Sequence, residues 1–272
     1  MTDVWLIRTD ILLPRVRALL DEEELARADR HPDGPGRHRF VAAHAAARLL
    51  TAEAAGLPPE RVRWRRGPHG RPEPDGLQGE LSVNLSTSGP WALFAVHRRG
   101  EDGDGDGPAA GGIGVDLEPV PGDRVAARLA ARYYRADETT RDAEEFARRW
   151  TRKEAYAKAY GGRLADGLRT HAGPPGDGPG PHRMHGPLGP CTVHDLPAPP
   201  GYRAALARTG TRPLRPRLRP TRTRARPRTP DRPHPARRTP AARPPLRRIA
   251  PYRPPHRPAG TAAPPAARRP RP

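Results

Sequence analysis

The chain has 272 residues and a formal charge of +19, but the segment beyond residue 210 holds 19 Arg, 18 Pro and one acid, Asp231, and so carries +18. The first 210 residues carry only +1, which gives no support to nucleic-acid binding by that part. A single cysteine, Cys191, excludes an intramolecular disulfide framework, the start MTDVWLIRTD lacks both parts of a signal peptide, and no run of about 18 apolar residues offers a membrane span.

A soluble, cytoplasmic, monomeric protein is the expectation. Residues 4–7 read as a short strand, and 15–28, with Val16, Leu19, Leu20 and Leu25, as an amphipathic helix. Residues 40–55 form a stronger helix, with Phe40, Ala43, Ala47 and Leu50 on one stripe and stop signals at Gly56 and Pro58. Residues 61–74 are Arg/Pro/Gly loop material with a strand-like 62–64, and 83–90 reads as a loop leading into a strand over 91–96. A flexible acidic connector spans 100–112, followed by a strand over 112–118 closed by Pro119, and then two helices, 123–134 and 138–161. Beyond Leu164 the signal fades into Pro-rich sequence in which only 191–196 and 202–207 look like strands, the latter echoing 91–96 as a hint of duplication. From Thr211 the chain has almost no hydrophobic periodicity and cannot bury enough surface to offset its entropy, so a disordered tail is expected over 211–272.

Two clusters carry chemistry. In IGVDLEP, the apolar Ile113, Val115 and Leu117 alternate with Gly114, Asp116 and Glu118, which puts both carboxylates on one strand face, about 6 to 7 Å apart. Such a pair can hold a hard cation such as Mg²⁺ beside substrate phosphates, or can be the solvent face of an edge strand. In RRWTRKEAYAKAYGGRL, Trp150, Lys153, Glu154, Ala157, Lys158 and Gly161 share one helical stripe. Glu154 and Lys158 are an i,i+4 pair, which by itself does no more than support an exposed helix. Yet of 49 basic residues only Lys153 and Lys158 are lysines, and a compact ammonium suits phosphate where arginine imposes a planar fork. Two carboxylates, a third acid and two lysines point to metal-assisted phosphate chemistry.

Other patterns carry less. Residues 101–107 imitate the opening of a calcium loop but place Ile113 where the bidentate Glu belongs, and His182, His185, Cys191 and His194 match no zinc spacing. Ser86 and Ser88 lack a G-x-S-x-G elbow.

GVDLE and WTRKEAYAK, with 31 residues between them, together resemble the signature of the Sfp-type 4'-phosphopantetheinyl transferases. RFVAAHAAARLL (39–50), GRP (70–72), VNLSTSGPWALFAV (83–96) and GYRAALA (201–207) follow in family order, so the resemblance covers roughly residues 1–210. It implies an α+β fold of two similar, pseudo-twofold subdomains, 1–108 and 109–210, each a small antiparallel sheet packed with helices, with coenzyme A and Mg²⁺ in the cleft between them. The implied reaction moves phosphopantetheine from coenzyme A to a serine of an acyl or peptidyl carrier protein and releases 3',5'-ADP. By resemblance, Asp116, Glu118 and Glu154 surround Mg²⁺, and Glu154, directly or through a water, deprotonates the carrier serine. Lys153 and Lys158 hold the phosphates, while Arg48, Arg71, Ser86 and Thr87 contact the nucleotide 3'-phosphate and its surroundings. Relatives often have His where this chain has Thr87, which cannot be cationic, so weaker coenzyme A binding is expected.

Two readings of the tail follow from composition: a tether for nucleic acid or an acidic partner, or GC-rich codons read out of frame from near Gly210. The alternative to a transferase is a non-catalytic relative that binds through this tail, and catalysis that survives truncation at Gly210 is the transferase expectation.

Overall fold

The computed structural model describes residues 1–11, 15–67, 69–100, 111–138, 140, 142–173 and 180–220, all within one unit, Met1–Thr223. The acidic connector and the tail from residue 221 lie outside the described residues.

Among the described residues, ten strands and five α-helices follow one another in two rounds. The first round runs β1 (Thr2–Arg8), α1 (Glu22–Asp29), α2 (Pro35–Ala55), the hairpin β2 (Trp64–Arg66) and β3 (Pro72–Pro74), then β4 (Leu81–Ser88) and β5 (Trp91–Arg98). The second runs β6 (Ile113–Pro119), α3 (Asp123–Tyr133), α4 (Ala143–Ala159), α5 (Leu164–Leu168), β7 (Pro181–Gly186), β8 (Gly189–Leu196) and β9 (Tyr202–Thr209); β10 (Pro216–Arg219) follows. In each round the last strand returns to pair antiparallel with the first: one sheet is ordered β10-β1-β5-β4 and the other β6-β9-β8-β7. The expected α+β fold with repeated topology is therefore present.

Alternation along the strands dictates the layers. Val4, Leu93 and Ala95 meet Ile113, Val115, Leu117 and Leu206 in a core between the two sheets. Ala92, Phe94 and Val96 turn to the other side, onto Ala43 and Ala47 of α2, while Val193, Ala205 and Ala207 of the second sheet pack on Ala155, Tyr156 and Ala159 of α4. The order is helix, sheet, sheet, helix.

Several local readings change. The helix expected over 15–28 divides at Asp21, whose side chain caps α1 in a reciprocal capping box with Glu24. The stretch expected to be a loop before Trp91 is strand β4, because Ser82, Asn84 and Ser86 are buried by bonding to neighbouring groups instead of facing water. α4 starts at Ala143, capped by Asp142, rather than at Glu138. The Pro-rich stretch after Leu164 supplies α5 and β7.

The expected disorder does not begin at Thr211. Leu214 enters the inter-sheet core, β10 pairs parallel with β1, and Arg217 and Arg219 both reach Asp3. One apolar side chain and one strand edge suffice to order a segment without periodicity. No helix among the described residues is long and apolar enough to cross a membrane.

β6 and α4 approach closely because residue 114 has no side chain. A Cβ there would stand 2.2 Å from the Ala155 carbonyl oxygen and 2.4 Å from the Ala159 nitrogen. Gly114→Ala is expected to cost about 3 kcal/mol in a denaturant melt, since backbone on both sides must move. Truncation after Gly210 is expected to lower Tm by several degrees, whereas truncation after Pro220 leaves it unchanged, because Leu214 and β10 are removed only by the first.

Candidate functional site

β4 and β6 are edge strands of different sheets, joined by side chains rather than by a backbone ladder. The Ile113 and Val115 amides on the free edge of β6 donate to Ser82 Oγ (3.1 Å) and Asn84 Oδ1 (2.9 Å), and Ser86 Oγ donates to Asp116 Oδ1 (3.0 Å). These small polar residues satisfy an edge that would otherwise be buried without partners.

Asp116 is wholly buried, and its Oδ1 also accepts from Lys158 Nζ at 2.5 Å, while Oδ2 has no hydrogen-bond partner among the described residues. α4 brings Glu154 opposite: its Oε1 accepts from Trp150 Nε1 (3.0 Å) and its Oε2 lies 3.5 Å from Lys158 Nζ. One carboxylate oxygen from each of Asp116, Glu118 and Glu154 falls within 4.8 Å of the others. Three hard oxygen donors and an orphaned buried carboxylate oxygen are the donor set a small divalent cation takes.

The electrostatics fit the same description. Burial, with Asp116 and Glu154 adding to it and Lys158 opposing, pushes the Glu118 carboxyl up to about 7. Burial and the Asp116 charge also raise Glu154 against the pull of Lys158. For Lys158, burial works against charge, but Asp116 and Glu154 together hold the ammonium above its ordinary value. Three acids share one cation, and a divalent ion would relieve the repulsion.

The remaining expected residues fall in different places. Ser86 joins the cluster, and Thr87, the next residue on β4, is exposed and points away from it. Lys153 is one residue from Glu154 but on another side of α4, fully buried, with Nζ donating to Glu138 Oε2 (2.5 Å) and the Leu168 carbonyl (3.1 Å). Arg48 is equally buried and committed to Asp21, Glu24 (2.5 Å) and the Val62 carbonyl (2.6 Å). Arg71 donates to backbone carbonyls of β4, β6 and the end of α4. Lys153, Arg48 and Arg71 each bond inward, to carboxylates or carbonyls of the chain itself.

Three features escaped the sequence reading. Trp150 orients Glu154, a contact that its position four residues earlier on the helix could have signalled. Asn84, the one asparagine in the chain, is a seam residue. A small pocket opens beside β4, lined by Glu23, Arg27, His44, Trp64, Arg66 and Leu85 among others.

In the metal-free protein, Glu118 binds its proton in the folded state up to pH about 7 but in the unfolded chain only to its ordinary 4.5, so its contribution to stability falls as pH rises through that window. Glu118→Gln is therefore expected to raise Tm at pH 8 and to flatten the decline between pH 5 and 8, measured by calorimetry in chelator.

The profile of the 4'-phosphopantetheinyl transferase superfamily matches residues 112–206, the stretch from β6 to β9 that holds all three carboxylates. A Synechocystis sp. protein provisionally named as a 4'-phosphopantetheinyl transferase, slr0495, is 32% identical over 175 residues, covering 61% of this chain and 67% of its own. The 4'-phosphopantetheinyl transferase HetI of Nostoc sp. is 32% identical over 163 residues, 56% of this chain and 64% of its own. Matched in this way across the strand and helix that build its acidic cluster, the chain belongs to the 4'-phosphopantetheinyl transferase superfamily.

Proposed function

We propose that the protein transfers 4'-phosphopantetheine from coenzyme A to a serine hydroxyl of an acyl or peptidyl carrier protein, releasing 3',5'-ADP, with Mg²⁺ held by Asp116, Glu118 and Glu154. The observation that carries the reading is the trio of carboxylates with the unpartnered Asp116 Oδ2, set beside the Lys158 ammonium. In this reading Mg²⁺, when bound, supplies the charge neutralisation that lets a pyrophosphate accept a nucleophile and part with its leaving group.

The chain's own residues supply the rest. Glu154, kept basic enough by burial and steadied by Trp150, takes the serine proton. The serine oxygen then bonds to the phosphorus that carries pantetheine, and the bond from that phosphorus to the bridging oxygen breaks, leaving the pair of electrons on 3',5'-ADP. Lys158, whose side chain is part exposed, holds the phosphate oxygens in place of its present contact with Asp116. Lys153 holds α4 through Glu138 rather than touching phosphate. The pocket beside β4, with Arg27 and Arg66 on its wall, is the proposed place for the nucleotide end of coenzyme A, with Ser86 and Thr87 following Leu85 of its lining along β4.

We assign the two rounds of the fold, near 1–108 and 109–210, as the two subdomains, with the site between them. Intact mass of an apo carrier protein after incubation with coenzyme A, Mg²⁺ and the full chain is expected to rise by one phosphopantetheine. Asp116→Asn abolishes the gain, and Glu154→Gln slows it by about a hundredfold or more. No gain from any of several carriers, with protein that melts cooperatively, would remove the reading. Thr87→His is expected to lower the KM for coenzyme A, and an unchanged KM would separate Thr87 from the phosphate.

A further inference from the structure

The pocket beside β4 is ringed by charges of both signs, but its acids are not equivalent. Asp21 and Glu24 cap α1 reciprocally and both accept from the buried Arg48, so they are committed to the fold. Glu23, between them in the first turn of α1, does neither. Its side chain is more than half exposed and reaches across to β2, where Arg66 Nε (3.1 Å) and Nη2 (2.9 Å) both donate to its Oε1. Arg66 Nη1 donates to the Gly70 carbonyl (3.2 Å), a bond that holds the guanidinium independently of Glu23.

Arg27, one turn along α1 from Glu23, pairs with no carboxylate among the described residues and lies over the Phe40 ring, 5.1 Å from its centroid. Burial, and after it the Arg66 charge, lowers the Arg27 pKa, so the two guanidiniums stand near enough to repel. Burial, opposed by the bond to the Phe40 carbonyl and aided by Arg27 and Arg66, pushes His44 on the same wall down to about 4, which leaves that imidazole neutral. Two guanidiniums therefore face one uncommitted carboxylate.

We propose that Glu23 is an internal competitor for the ligand of this pocket: its carboxylate occupies on Arg66 the place of a phosphomonoester, which binds by displacing it. The present pair gives one oxygen to two N–H groups, whereas a dianionic phosphate offers two oxygens at the spacing of the guanidinium fork and more charge to the neighbouring Arg27. An exposed ion pair is held weakly, and Glu23 can swing into water while the Gly70 carbonyl keeps Arg66 in place. Glu23 then sets how tightly a phosphorylated ligand is held, and a ligand without that phosphate leaves the pair intact. The inference rests on the transferase reading for the ligand, coenzyme A, and on the ion pair for its geometry.

The test uses the full chain with chelator present, so that no metal contributes, and calorimetric Kd values for coenzyme A and for dephospho-coenzyme A, which lacks only the 3'-phosphate. Glu23→Gln is expected to bind coenzyme A about threefold tighter and dephospho-coenzyme A as before. Glu23→Ala, which cannot reach Arg66, is expected to do the same. Arg66→Gln is expected to bind coenzyme A about tenfold more weakly, and adding Glu23→Gln to it changes nothing further. Coenzyme A binding that is unchanged or weaker in both Glu23 variants overturns the inference. So does tightening that extends to dephospho-coenzyme A or persists beside Arg66→Gln, since either marks a general charge effect. An unaltered chain that binds coenzyme A and modifies a carrier, but is indifferent to Glu23, fails this inference alone. One that does neither fails the functional reading and the inference with it.

Discussion

Two edge strands from separate sheets meet through side chains, and the site depends on that seam. β6 has β9 on one side and needs partners on the other; Ser82 and Asn84 of β4 provide them, and Ser86 continues the row to the Asp116 carboxylate. A backbone ladder would have merged the sheets into one. Side-chain bonds instead let the sheets pack face to face over the Val4, Leu93, Val115 and Leu206 core while keeping β4 and β6 in fixed register. The result places a hydroxyl from one round beside a carboxylate from the other.

The second constraint is contact distance. Gly114 lets α4 lie directly on β6, so Glu154 and Lys158 arrive above Asp116 without a long reach. Packing brings three carboxylates close enough to repel, and the raised Glu118 and Glu154 titrations are the cost of that arrangement. Folding energy from the aliphatic core holds together a charge distribution that would spread apart in solution, which is how a preorganised cation site is made. Arg71 closes the same seam from its far end.

The site was legible where a period was clear. Alternation in IGVDLEP puts Ile113, Val115 and Leu117 in the core and leaves Asp116 and Glu118 on the α4 side, and helical spacing puts Glu154 and Lys158 on one face. The scarcity of lysine drew attention to both lysines, but sequence did not show that the stripe is broad enough for Lys153, at its edge, to turn into a buried pair with Glu138. Composition hid β4, since Ser, Asn and Thr suggest a loop unless the partner of each polar side chain is known. For Arg48 and Arg71 the resemblance implied phosphate contacts but not the internal bonds, because a guanidinium serves carbonyls and carboxylates of its own chain as readily as phosphate, and sequence does not say which lies nearer. Leu214 and β10 escaped because one buried leucine leaves no period to read.

The central claim is that the β4–β6 seam holds the carboxylate cluster in its cation-binding geometry. Asn84→Ala tests it most directly, because Asn84 bonds the Val115 amide and touches none of the three carboxylates. Mn²⁺ affinity of the folded, cooperatively melting variant, measured without coenzyme A, should fall about tenfold or more relative to the unaltered chain. An Asn84→Ala protein that binds Mn²⁺ as tightly as the unaltered chain would show that the cluster forms without the seam and would contradict the account.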